Sequence, residues 1–146
     1  MGPRLSVELL LDNSAFVRLA SPALAERRAQ EIADALEQRL IGVCLPFLLE
    51  AGYSARNATD HGELLNELMA LPMLHIDTEV ERRAIDAQRQ LARAGHHRLP
   101  PVDLIIAALA DRHSVGVLHY DHDYDTLAEK TDLRFPSVWL ARRGSL

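Results

Sequence analysis

The side chains best placed to do chemistry are carboxylates that close or open apolar runs. Asp12 ends "VELLLD" and is followed by Asn13 and Ser14 before apolar residues resume. Asp121 ends "VGVLHYD", and Asp123 follows shortly after it. Asp103 heads "DLIIAALA", a stretch with almost no polar face to offer solvent. Glu50 lies one turn into a segment that begins at Pro46, just after "IGVCL". Each acid taken singly has a plain structural reading. Asp12 could end a strand in a turn, Glu50 could sit on a solvated helix face, Asp103 could be a favourable first-turn charge, and "DHDYD" could be an acidic loop. Brought together, these carboxylates would repel one another and lose hydration, and the remedy is protonation or a cation. Mg²⁺ and Mn²⁺ prefer such oxygen ligands, can polarise a phosphate and can lower the pKa of bound water. Asn13 and Ser14 are placed to orient Asp12 or to touch a substrate.

Whether the acids meet depends on the elements that carry them. Residues 7–11, 41–45, 73–76 and 115–120 read as strands, and "RFPSVWL" as a short edge strand near the end. Helices are predicted over 14–20 with Ser14 as cap, over 23–40, from Pro46, and up to about Leu71 with Thr59 or Asp60 as cap. A further helix over 78–94 is capped by Asp77 or Thr78 and stopped by Gly95. "VDLIIAALADRHS" reads as a buried helix, and a last one runs through Lys130. Strands alternating with helices predict an α/β fold with a mainly parallel sheet and helices on both faces. In such a sheet the strand C-termini and the following helix N-termini share one edge, where sites form. Asp12, Glu50, Asp103 and Asp121 all fall on that edge.

The 146 residues predict one domain, 1–146, large enough for a real core. No apolar run nears the ~20 residues of a membrane helix. Arg4, a Leu-rich stretch and "SPALA" imitate a signal peptide, but Glu8, Asp12 and Arg18 interrupt it. With a single cysteine, Cys44, no internal disulfide can form, which fits a reducing, cytoplasmic setting. The net charge of −5 disfavours a nucleic-acid binder held by overall charge, leaving local arginines such as Arg18, Arg98 or Arg112 to guide a backbone. Zinc fits poorly, because the histidines (His61, His75, His96, His97, His113, His119 and His122) form no H-x-x-x-H pair and Cys44 has no partner. His96 and His97 read as solvent-facing, whereas His119 and His122 frame Asp121. The arginines of 78–94 read as a solvated face with partners such as Glu79–Arg83, Met69, Leu71 and Met73 as core, and Trp139 as packing for the final strand.

Taken in order, "LLLDNSAF", "PFLLEAGYSAR", "PPVDLIIAALA" and "VLHYDHDYDTLAE" resemble the PIN-domain ribonucleases, and among them the VapC-type toxins of toxin–antitoxin pairs. Each piece is short, but the ordered set spans nearly the whole chain. The resemblance implies a three-layer α/β/α fold and Mg²⁺- or Mn²⁺-dependent endonucleolytic cleavage of RNA, tRNA or rRNA, that inhibits translation. It puts the family's acidic positions on Asp12, Glu50, Asp103 and Asp121, with Asp123 contributing, and its small hydroxyl residue on Ser14. Asn13 departs from the pattern, where threonine is common. In this reading Asp12, Asp103 and Asp121 hold one ion, and Glu50 binds it directly or through water. The resemblance also implies a homodimer and a cognate VapB-type antitoxin that inserts a C-terminal segment into the active-site groove.

Two other classes compete. An aspartyl-phosphate phosphohydrolase would also begin with an acid after its first strand, but it wants a second Asp where Ser14 stands and a lysine near the later acids. A non-catalytic, metal-stabilised RNA- or protein-binding module would need the metal but not the full acid set.

Overall fold

The computed structural model describes residues 6–96 and 98–146, so Arg4 and His97 lie outside the described residues. Four strands form the sheet: β1 (Leu9–Leu11), β2 (Ile41–Gly42), β3 (Gly116–His119) and β4 (Ser137–Trp139), in the order β2-β1-β3-β4. Every pairing is parallel, with Leu10 opposite Gly42 on one side and Val117 on the other. Successive strand side chains point to opposite faces. Leu10, Leu11, Val117 and Leu118 are nonetheless all buried, so both faces of the central strands are covered. The cover comes from α1 (Asn13–Phe16), α2 (Glu26–Glu37), α3 (Leu45–Tyr53), α4 (Ala58–Met69), α5 (Thr78–Arg93), α6 (Pro101–His113) and α7 (Asp123–Lys130). This is the three-layer α/β/α arrangement that the alternation predicts. Among the described residues no helix is long and apolar enough to cross a membrane.

α6 runs through the interior. Ile106, Ala107, Ala108, Leu109 and Ala110 are all inaccessible, which explains why its sequence lacks a polar stripe. Pro101 sits in its first turn, and Ser114 ends it in the left-handed region (φ 56°). α5 packs along it through Val80, Ala87 and Leu91. Its outer side carries the expected Glu79–Arg83 pair at 2.9 Å, and Asp86 pairs with Arg89 at 3.2 Å. Gly116 lets β3 run close to its neighbours, since a Cβ there would stand 2.8 Å from Leu9 Cδ2 and 3.0 Å from the Pro136 carbonyl oxygen.

Several local expectations need correction. Residues 73–76 do not form a strand; a single parallel bridge joins Met73 to Val43. The pairing is used up within one residue, as Val43 donates to Pro72 O and accepts from Leu74 N–H, and the chain then turns to the cap of α5. Asp12 rather than Ser14 caps α1, and Asn57 rather than Thr59 or Asp60 caps α4. In both cases the capping residue is the last one with extended backbone, and its side-chain oxygen reaches the free amide of Ser14 or Asp60. Asp77 does cap α5, accepting from Val80 N–H at 2.9 Å, and Gly95 (φ 82°) follows its end. Met69 is 61% exposed, because its neighbour Leu68 takes the inward side of α4; Leu71 and Met73 are half-buried.

Candidate active site

The parallel sheet makes β1 and β3 end side by side, and both run directly into acids. Asp12 follows β1, and its N–H still donates to Leu118 O at 3.0 Å, pinning it to the last rung between the two strands. Asp121 lies just past β3 and Asp123 opens α7. Asp103 enters from the first turn of α6 and Glu50 from α3. Carboxylate oxygens of Asp103, Asp121 and Asp123 lie within 4.8 Å of one another. Asp12 joins this group through Tyr124, whose hydroxyl donates to Asp12 Oδ1 at 2.6 Å and lies 3.3 Å from Asp103 Oδ1. Glu50 stays more exposed, at the rim, close enough for the charges of Asp12 and Asp121 to act on it.

Asp12 and Asp103 are both buried, but they are treated differently. Asp12 is met by donors on both oxygens: Tyr124 on Oδ1, and the Ser14 N–H and hydroxyl on Oδ2. Ser14 Oγ in turn accepts from Tyr120 N–H at 2.9 Å, tying α1 to the end of β3. Asp103 Oδ2 is buried with no partner. Burial, followed by the charges of Asp12, Asp121 and Asp123, pushes the Asp103 carboxyl up to about 8, against a smaller opposing effect of the Tyr124 hydroxyl. Glu50 is raised by burial and then by Asp12 and Asp121. Asp123 is raised by burial and then by Asp121.

Among the described residues no lysine, arginine or histidine forms an ion pair with any of these five acids. An all-oxygen donor set, three ligand oxygens within one ion's span and a buried oxygen without a donor fit a hard divalent cation such as Mg²⁺ or Mn²⁺. Cys44 is buried and its thiol is pushed up to about 12, chiefly by that burial, so it offers no thiolate.

Around the acids, Asn13 Oδ1 is buried without a partner. Arg18 donates to Ser14 O at 2.8 Å and lays its guanidinium over the Tyr120 ring, 4.6 Å from its centroid. Arg98 and His96 line an open cavity of about 550 Å³ that includes Asp123. Arg112 lies at the far end of α6 and pairs with Asp77 at 3.2 Å.

Tyr124 is the functional-site residue that sequence reasoning misses. No local signal finds it, since its place in α7 marks the ring only as core.

Residues 9–130 match the PIN domain family. The chain belongs to that family. The PIN domain of this chain resembles Ribonuclease VapC18 of Mycobacterium tuberculosis (strain ATCC 25618 / H37Rv), which is 38% identical over 139 residues, 93% of this chain and 97% of the relative. Ribonuclease VapC51 of the same strain is 35% identical over 142 residues, 97% of this chain and 99% of the relative. Among solved structures, the DNA-bound VapBC of Salmonella typhimurium contains a chain that superposes with a TM-score of 0.71 at 16% identity, covering 92% of this chain and 99% of that one. That likeness supports the PIN fold.

Proposed function

We propose that this PIN-domain protein is a Mg²⁺- or Mn²⁺-dependent endoribonuclease, a single nuclease domain over residues 1–146 that acts in the cytoplasm as the toxin of a VapBC-type pair. The observation that carries this reading is the donor-free, buried Oδ2 of Asp103 inside a carboxylate cluster with which no side-chain cation among the described residues pairs. Relatives that bear the name ribonuclease over nearly the whole chain support it.

In this reading Asp103, Asp121 and Asp123, whose oxygens lie within 4.8 Å of one another, hold the ion directly, while Asp12, expected from the sequence as a ligand but already met by donors on both oxygens, stands beside them with Glu50 at the rim. When bound, the ion neutralises the cluster and stabilises charge developing on the phosphate. The chain's own groups do the rest. Tyr124 and Ser14 meet both oxygens of Asp12 with donors and so hold it fixed. Glu50, more open to solvent and biased toward taking up a proton, accepts one from water as that water attacks phosphorus; the P–O bond to the departing nucleotide breaks, and the leaving oxygen takes a proton from solvent. Among the described residues Arg18 and Arg98 form no ion pair with a carboxylate, and they lie beside the acids, which suits them to RNA phosphates on either side of the scissile bond. Arg112, tied to Asp77, is not assigned to this task. Cleavage of tRNA or rRNA would inhibit translation. A VapB-type antitoxin and a second copy of the chain are the protein partners, and exposed apolar residues along α3 support an interface on that face.

The test is incubation of the purified protein with total RNA in Mg²⁺, Mn²⁺ or EDTA, beside Asp12→Asn, Glu50→Gln and Asp103→Asn. Cleavage is expected to need the ion and to fall by at least about a hundredfold in Asp103→Asn. Undiminished cleavage in EDTA would overturn the proposal.

A further inference from the structure

Beneath the acidic edge runs a second polar line that the cleavage chemistry does not use. His119, the last residue of β3, is fully buried, yet both of its ring nitrogens are engaged. Nδ1 faces the backbone N–H of Asp121 at 3.1 Å, and Nε2 faces Ser137 Oγ at 2.7 Å. An amide N–H can only donate, so Nδ1 is the bare nitrogen and Nε2 carries the proton. Ser137 therefore accepts from His119 and donates its own proton to Asp125 Oδ1 at 2.7 Å. The other oxygen of Asp125 accepts from Trp139 Nε1–H at 2.9 Å. The direction of every bond follows from the two ends, a donor-only amide and an acceptor-only carboxylate. Ring contacts with Tyr124 (centroids 4.8 Å apart) and Trp139 (5.0 Å) hold the imidazole in place.

The turn from His119 to Asp123 is closed by two short-range bonds, Asp121 N–H to His119 Nδ1 and Asp123 N–H to Asp121 Oδ1 at 2.9 Å. Through His119 the first of these is anchored to β4 and α7. We propose that His119 is a positioning residue: locked in one tautomer by Ser137 and Asp125, it sets the turn that presents the Asp121 and Asp123 carboxylates to a divalent ion. This rests on the nuclease reading. It predicts that the acceptor at Nδ1 matters more than the volume of the ring. Asparagine can supply an acceptor to the amide two residues on, as in an Asx turn, whereas leucine cannot. Groups that orient metal ligands from behind typically affect affinity by about 10–100-fold.

The experiment is calorimetric titration of Mn²⁺ into the full chain, for wild type, His119→Leu, His119→Asn and Ser137→Ala, with melting temperatures of each in EDTA. His119→Leu is expected to bind Mn²⁺ at least about tenfold more weakly. His119→Asn should stay within about threefold of wild type, although the space it leaves lowers its melting temperature. Ser137→Ala, at a half-buried edge position, should weaken binding by about three- to tenfold while melting near wild type, and it decides the question alone if the leucine variant does not fold. Affinities equal across the set, or affinities that simply follow melting temperature, would overturn the proposal. A wild-type protein that binds no Mn²⁺ would instead overturn the nuclease reading, and that is seen before any variant is made.

Discussion

Asp103 occupies surroundings that favour its acid form. Its Oδ2 has no donor, three acids surround it, and its carboxyl is pushed up to about 8 from an ordinary 3.8. A group that holds its proton more tightly in the folded state contributes stability that is fully present below about pH 4 and is lost as pH rises through about 8. Without metal, the protein should therefore lose on the order of a few kcal/mol across that window. Asp103→Asn is neutral throughout. It should melt about 5–10 °C above wild type at pH 8 in EDTA and show no such advantage near pH 4. Thermal unfolding at the two pH values checks this, and equal melting at pH 8 would mean that the charge is accommodated without an ion. Tyr124→Phe should act in the opposite direction, because it keeps the ring but strips a donor from two buried carboxylates. A loss of about 1–3 kcal/mol at pH 7 is expected from urea denaturation in EDTA. At this scale the sequence was readable where an acid ends an apolar run, as Asp12 and Asp121 do. Tyr124 was not readable, because its partner Asp12 lies 112 residues away and nothing local marks the ring as anything but core. His119 was legible only as a neighbour of Asp121, because its bond to Ser137, 18 residues away, exists only in the fold.

At the scale of elements, periodicity located the helices better than it located their ends. α6 was legible because nothing but burial explains "LIIAALA", and α5 because acids, basic residues and Gly95 mark its two ends. The caps of α1 and α4 differ from those the sequence predicts, because several nearby residues can serve and only backbone geometry chooses among them. The stretch 73–76 has strand composition, but among the described residues it pairs only by a single bridge from Met73 to Val43, so pairing and not propensity decided the outcome. One element end carries a testable strain. Ser114 closes α6 with φ 56°, a conformation in which a Cβ is unfavourable. Ser114→Gly should stabilise the protein by about 0.5–1 kcal/mol and leave cleavage unchanged, since this end of α6 is remote from Asp103. Paired melting and RNA-cleavage assays test both halves of that statement.

At the scale of the whole molecule, one face is left apolar and open. Leu45, Leu49 and Tyr53 recur every four residues along α3 and all are exposed, Tyr53 at 91%. With Ile76, Val102 and Ile105 they bound an open cavity of about 490 Å³ whose wall also includes Glu50. Such a strip in water favours cover by protein. If a second copy supplies it, the contact is isologous, with α3 of each chain against the other, and a charge placed at its centre is introduced twice. Leu49→Arg should therefore convert a dimer into a monomer at micromolar concentration, read by sedimentation equilibrium. Mn²⁺ binding should persist, because Asp103, Asp121 and Asp123 are untouched. RNA cleavage should fall, because Glu50 neighbours the substitution and loses the wall that the second copy builds beside it. A dimer that survives Leu49→Arg would place the contact between copies elsewhere. A wild-type monomer that the same substitution prevents from binding the proposed VapB-type antitoxin would assign the strip to that partner, with the same physical logic of an apolar face requiring cover.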